Sequence, residues 1–223
     1  TQLRTGASSG AAFDLLGKKE CKKGAMIGTG GQAAAQLEAM LAARKLEEVK
    51  IFDLNEERCK AFAEEMQKEQ AKYGATIIPA KDSDDCIEDA DLIITVTPSA
   101  KPVFDGTKVK AGATISCVGT YEPHKHELDP AVLPRASKII CDSKEAALSE
   151  TGDLLIPIAD GIITEEDVRG SLGDVINGKI KGRENDEEII VYETVGVAAQ
   201  DLVAAKVIYD KAVEAGKGLR WGE

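Results

Sequence analysis

The sequence predicts an α/β chain built on a doubly wound parallel sheet, and three observations carry that prediction. From Gly24 to Cys141 short β-rich runs alternate with helical ones, as strands joined by covering helices do. A glycine turn, Gly28-Thr29-Gly30-Gly31-Gln32-Ala33, lies between the first of those strands and the first helix. Asp53 then ends the second strand.

The first strand is read at Ala25-Met26-Ile27, and Gln32 to Lys45 has its apolar positions at helical spacing. Val49 to Phe52 returns as a strand, and Asn55 is the predicted N-cap of a helix from Glu56 to Tyr73, closed by Gly74. Ala75 to Pro79 reads as a short strand, and Ser83 to Glu88 as one or two helical turns. Leu92 to Val96 is an apolar strand that Thr97-Pro98 stops. Ala113 to Val118 and Lys138 to Cys141 are strands flanking a short helix, Leu128 to Arg135. Past Asp142 the alternation gives way to small helices at Ser143 to Thr151, Thr164 to Val168 and Leu172 to Asn177, and then to a polar loop from Lys179 to Glu187. A strand, Glu188 to Thr194, and a long amphipathic helix, Val197 to Ala215, complete the pattern.

Composition narrows the function. Acidic residues number 39 against 28 basic ones in 223 residues, a net charge of -11 that repels nucleic acid and anionic membranes. Aromatic residues make up 4%, too few for a base-stacking platform. The apolar runs Leu92 to Val96 and Leu154 to Ala159 are far shorter than the roughly 20 residues of a bilayer span. Thr1 to Ala12 lacks the pattern of a secretory signal. Cysteines at 21, 59, 86, 117 and 141 are odd in number and form no C-x-x-C pair, so reduced thiols and a cytoplasmic setting are expected.

The glycine turn has a chemical reading. Gly28 permits the tight bend, Gly30 lets a pyrophosphate approach the backbone, and Ala33 lets helix and strand pack closely. Thr29, Gly31 and Gln32 complete a helix N-terminus whose free amides form an anion site. Asp53 would accept hydrogen bonds from two ribose hydroxyls and repel a 2′-phosphate, so NAD is expected over NADP. Arg58, a turn into the next helix, reads as a solvated side chain. Thr95, Val96 and Thr97 end the fourth strand, where small residues suit contact with ribose or nicotinamide. This is the signature of a Rossmann domain.

Several segments together resemble the ornithine cyclodeaminase and mu-crystallin family: Leu3-Arg4-Thr5-Gly6-Ala7-Ser8-Ser9-Gly10, then Ile27 to Ala33, Thr95-Val96-Thr97 and Val118-Gly119-Thr120-Tyr121-Glu122-Pro123 with Glu127-Leu128-Asp129. Gly152-Asp153-Leu154 and Thr194-Val195-Gly196-Val197-Ala198 with Gln200-Asp201 continue the match over nearly the whole chain. The resemblance implies a homodimer that moves hydride between nicotinamide and the α-carbon of a small amino or imino acid. It makes Arg4 the substrate-carboxylate ligand, and places Thr5, Val118, Gly119 and Gly196 beside the cofactor. It also implies three parts: an N-terminal segment, 1–20, linking to a substrate and dimerisation domain, the dinucleotide-binding domain, 21–165, and a strand and helix, 166–223, returning to the substrate domain.

Two departures bear on chemistry. Family members carry a sizeable segment before the Arg4 motif, with a lysine and another arginine for substrate, so either this chain is a fragment or another chain supplies that segment. Cyclodeaminases and related alanine dehydrogenases carry aspartate where Tyr121 stands. A phenol titrates near 10 and is a poor base at neutrality, so Tyr121 is a candidate proton donor and a reductase or dehydrogenase is favoured over ammonia-releasing cyclodeamination. A non-catalytic NAD(P)H-binding module like mu-crystallin is the remaining alternative. His124 and His126, the only histidines, lack an adjoining Cys or Asp at metal-ligand spacing and are expected to face solvent near the pocket. One of them, or Glu122, is a further candidate acid.

Overall fold

Parallel neighbours need crossover connections, and helices supply most of them here. The computed structural model, which describes residues 1–219 and 221, begins with helix α1 (Gln2–Leu16) and strand β1 (Lys23–Ile27). Next come α2 (Ala33–Ala43), β2 (Glu48–Phe52), α3 (Glu56–Glu69) and β3 (Thr76–Pro79). A short α4 (Ser83–Ile87) leads to β4 (Leu92–Thr95), β5 (Thr114–Cys117) and β6 (Ala136–Cys141). Then α5 (Lys144–Glu150), α6 (Gly152–Ala159), β7 (Val168–Ser171), α7 (Leu172–Ile176), β8 (Ile189–Glu193) and α8 (Ala198–Glu214) follow.

All eight strands pair in parallel in one sheet of order β3-β2-β1-β4-β5-β8-β6-β7. The chain winds outward from β1 to β3, then crosses back to β4, which makes the β1/β4 boundary the switch point where such sheets bind ligands. Every residue of β4, β5 and β8 is buried, as a sheet covered on both faces requires. Ile93, Ile115 and Val191 pack on one face with Leu128, Val132 and Leu154, while Met26, Ile51 and Ile94 pack on the other with Leu37 and Met40. Side chains cap several helices: Asn55, as its sequence suggests, accepts from the Arg58 amide, and Ser171 and Asp174 form a reciprocal capping box on α7.

The structure adds two helices to the sequence reading and departs from it in two places. Residues 2–16, rich in glycine and serine, form a full helix because α1 lies against α2, with Gly6 facing Ala35 and Gly10 facing Ala39. The helix expected at Thr164 to Val168 is a turn followed by β7. There the Asp167 carboxylate accepts the Thr164 amide at 2.8 Å, and Val168 pairs with Ile139. Gly152–Ala159 is helical although Pro157 lies within it, capped by Thr151 and anchored by buried Leu154. The segment set apart as 166–223 contributes β7 and β8 to the one sheet, with β8 inserted between β5 and β6.

Candidate active site

The C-terminal ends of β1, β4, β5 and β8 open onto a cleft of about 440 Å³. Its walls hold Arg4 and Thr5 of α1, the Gly30-Gly31-Gln32 turn, Val96 and Thr97 beyond β4, Val118, Gly119 and Tyr121 beyond β5, and Gly196 beyond β8. Eleven residues singled out in the sequence thus converge, from five separate stretches of chain. Gly28, Thr29, Ala33 and Asp53 lie outside the wall, under or beside the turn, and Thr95 is fully buried in β4.

The turn is built in two layers. Gly28 has φ +109°, and a Cβ there would sit 2.5 Å from the Val96 carbonyl oxygen, so glycine lets the β1 and β4 ends touch. Gly30 and Gly31 show the reverse: a Cβ on either meets nothing within 4 Å, and the space they leave faces the cleft. Among the described residues the amides of Gly30, Gly31 and Gln32 donate to no protein group, whereas Ala33 already donates to the Gly30 carbonyl. Unpaired amides around an open glycine cradle fit a pyrophosphate.

Asp53 is occupied rather than bare. Its Oδ2 accepts from the Thr29 amide at 3.1 Å and the Thr29 hydroxyl at 2.6 Å, and its Oδ1 accepts from the Asn55 amide at 2.9 Å. Arg58 Nη2 reaches both carboxylate oxygens, at 2.7 and 2.8 Å, and Nε reaches Thr29 Oγ1 at 3.1 Å. Arg58 is therefore an ion-pair partner and not the free solvated side chain expected, because one helical turn after Asn55 returns it over the strand end. Burial alone would raise the Asp53 carboxyl, but the bonds from Thr29, Asn55 and Arg58 hold it below its ordinary value.

At the other end Arg4 is nearly buried, with its side chain 14% exposed. Nε donates to Asp201 Oδ1 of α8 at 3.2 Å, and a Cβ on Gly196 would lie 2.7 Å from Nη1, so the guanidinium lies over that glycine in the cleft. Gly196, at φ +92°, donates its amide to Asp142 Oδ2 at 2.7 Å, and the Thr194 hydroxyl reaches the same oxygen. Tyr121 also lines the cleft, 65% exposed.

The two histidines separate. His124 is exposed and 3.5 Å from Glu122, which Lys125 also binds. His126 is not solvent-facing as expected: it is half-buried, and its Nδ1 is buried without a partner among the described residues. Beneath them lies a feature the sequence reading missed, three buried carboxyls: Glu127, Asp153 and Glu193. Burial, with Asp153 close by, pushes Glu127 up, burial with Asp153 and Glu127 pushes Glu193 up, and burial pushes Asp153 up. Cys117, Asp153 and Glu193 bring one ligand atom each within 4.8 Å of one another, but these groups are fully enclosed and Glu193 already accepts from Thr151. The available signal was position: Asp153 opens the apolar run to Ile156, and Glu193 closes Ile-Ile-Val-Tyr.

Known proteins resemble this chain in sequence and fold. The model of the ornithine cyclodeaminase/mu-crystallin family matches residues 1–216. A Delta(1)-pyrroline-2-carboxylate reductase of Bacillus cereus is 40% identical over 220 residues, 99% of this chain and 66% of that protein. An alanine dehydrogenase of Archaeoglobus fulgidus is 38% identical over 218 residues, 98% of this chain and 65% of that protein. Among solved structures, Thermococcus litoralis Delta(1)-pyrroline-2-carboxylate reductase in complex with NADH and L-proline superposes with a TM-score of 0.93 at 37% identity, covering 99% of this chain and 67% of that one. The chain thus spans 66% of the length of the Bacillus cereus reductase. With a parallel sheet switched at the glycine turn and Arg4 brought over Gly196, it belongs to the ornithine cyclodeaminase/mu-crystallin family.

Proposed function

We propose that the protein is an NAD-dependent oxidoreductase that passes hydride between nicotinamide and the α-carbon of a small imino or amino acid, with cyclic imino acids of the pyrroline-carboxylate type as the preferred class. The observation that carries this reading is the single cleft with an anion cradle at Gly30 to Gln32 at one end and a nearly buried arginine at the other. The similar reductase bound to NADH and L-proline supports both the cofactor and the substrate class.

Gly30, Gly31 and Gln32 would hold the pyrophosphate with their amides, and Asp53 with Thr29 would meet the adenosine ribose. Thr5, Val96, Thr97, Val118, Gly119 and Gly196 would bound the nicotinamide end, with Thr95 acting from beneath and Gly28 and Ala33 shaping the turn. The cofactor supplies or accepts the hydride. The chain's own work is positioning: the Arg4 guanidinium takes the substrate carboxylate through its two Nη atoms, while Asp201 fixes it from behind through Nε. Tyr121 offers a phenolic proton at the open wall. NAD is preferred to NADP because the Asp53 carboxylate, held in its ionised form, repels a 2′-phosphate.

Assembly and setting belong to the same reading. α8 buries none of its residues and exposes Leu202, Val203, Val207, Ile208, Tyr209 and Val213, an apolar surface suited to the substrate and dimerisation region of a homodimer. Five free, buried cysteines suit a reducing, cytoplasmic compartment. No helix of the described residues is long and apolar enough to cross a membrane.

An assay of NADH and NADPH oxidation against five- and six-membered cyclic imino acids, and against 2-oxo acids with ammonia, tests the proposal. Turnover with a cyclic imino acid and a preference for NADH are expected. Ammonia release from ornithine with no net change in NADH, or no turnover with any of these, would overturn it.

A further inference from the structure

Two turns form the wall of the cleft beyond β4 and β5, and one buried side chain binds both. Glu127 is fully buried, and its Oε2 accepts from the Thr97 amide at 2.8 Å and the Thr97 hydroxyl at 2.9 Å. Its Oε1 accepts from the Gly119 amide at 2.6 Å. The turns are in direct contact, since a Cβ on Gly119 would lie 2.0 Å from the Thr97 carbonyl oxygen. Glu127 is itself anchored: its amide donates to Asp153 Oδ1 of α6 at 2.7 Å, and its carbonyl accepts from the Val103 amide at 2.9 Å. Thr97 and Gly119 both line the cleft, whereas Glu127 does not.

We propose that Glu127 is a positioning residue whose ionised carboxylate clasps the Thr97 and Gly119 turns into the shape of the cleft wall, and that taking up a proton loosens them. The inference rests on the reading of this wall as the nicotinamide end. A carboxylate accepts only, and here it receives three donors, two of them backbone amides that cannot reverse roles. With a proton on Oε2 the Thr97 hydroxyl can turn and accept, so the pattern survives, but both amide bonds lose their charge assistance. The titratable groups around Glu127 are Asp153 from α6, whose charge acts on it, and Glu193 from β8 and Cys117 from β5, on which it acts, with His126 acting in turn on Asp153. Burial and the neighbouring Asp153 favour the protonated form, so the clasp tightens above the ordinary carboxylate range, towards neutrality.

Amide hydrogen exchange between pH 5.5 and 8.5, corrected for intrinsic exchange, tests the clasp on the unaltered protein. Protection at Thr97 and Gly119 should rise about tenfold as pH rises, while amides of β1 and β2 show no such rise. In Glu127→Gln the rise should disappear, and NADH affinity, which should tighten several-fold with pH in the unaltered protein, should become flat. Protection at both amides that ignores pH overturns the proposal, as does a Glu127→Gln protein that retains the pH dependence. A purely structural role would lower the melting temperature and loosen many amides at all pH values, which also contradicts it. If Glu127→Gln does not fold, the exchange profile of the unaltered protein decides. If NADH fails to bind at any pH while protection rises as stated, the clasp stands and the proposed function fails.

Discussion

At the scale of single residues, the chemistry turns on which polar groups are free and which are spoken for. Among the described residues Arg4 pairs with one carboxylate, Asp201, on Nε, and keeps its paired Nη edge over Gly196. Two charge-assisted bonds to a substrate carboxylate contribute about 3 kcal/mol, so Arg4→Ala should lower kcat/KM for the imino acid by about a hundredfold and leave the NADH dissociation constant unchanged. Steady-state kinetics beside a fluorescence titration of NADH checks both halves. Glu193 is the opposite case: Oε1 accepts from Thr151, Oε2 has no hydrogen-bond partner among the described residues, and burial favours the protonated carboxyl. Glu193→Gln is nearly isosteric with that form and should fold with an unchanged melting temperature at pH 5.5. A large loss of stability on this substitution would mean that Glu193 is ionised and paired with a cation. Sequence reasoning found Arg4 only through the motif around it, since nothing in Leu-Arg-Thr indicates burial. It missed the pairing of Arg58 with Asp53 because a helix-surface arginine gives no local sign of where the next strand ends.

At the scale of elements, the glycines divide into those that pack and those that leave room. A Cβ on Gly6 would lie 2.5 Å from the Ala35 carbonyl oxygen, backbone against backbone. Gly6→Ala therefore sets a helix-propensity gain of about 1 kcal/mol against an overpacking cost of about 1–3 kcal/mol, and α1 cannot relieve the contact by a rotamer change. The melting temperature should fall, as thermal unfolding followed by circular dichroism would show. Gly30→Ala should do the reverse, leaving the melting temperature in place, because its Cβ meets nothing, while abolishing measurable NADH binding. The strands from β1 to β6 and the glycine turn were legible because periodicity and turn chemistry are local. α1 and β7 were not: α1 is helical through its contact with α2, and β7 is a four-residue strand whose evidence is its pairing with β6.

At the scale of the whole molecule, charge is arranged with opposing pH dependences. Asp53, Asp91 and Asp174 lie below their ordinary values, because hydrogen bonds and lysine or arginine partners outweigh burial or act without it, so their stabilisation is lost as pH falls through the acid range. Glu127, Asp153 and Glu193 lie above theirs, so the folded chain binds more protons than the unfolded one and stability declines as pH rises above the ordinary carboxylate range. The melting temperature should thus be higher at pH 5.5 than at pH 8.5, and Glu193→Gln should reduce the difference by removing one of the three carboxyls. The parallel sheet was predictable as a class from alternation alone, but the place of β8 between β5 and β6 was not, since strand order is decided by packing far apart in sequence. In the proposed reaction this sheet sets a nicotinamide against the α-carbon of an imino acid whose carboxylate Arg4 holds. Incubation with NADH deuterated at C4 and a cyclic imino acid, followed by mass spectrometry of the product, tests it most directly: one deuterium at the α-carbon of the amino acid is predicted, and product formed without deuterium from labelled NADH of either stereochemistry would contradict the account.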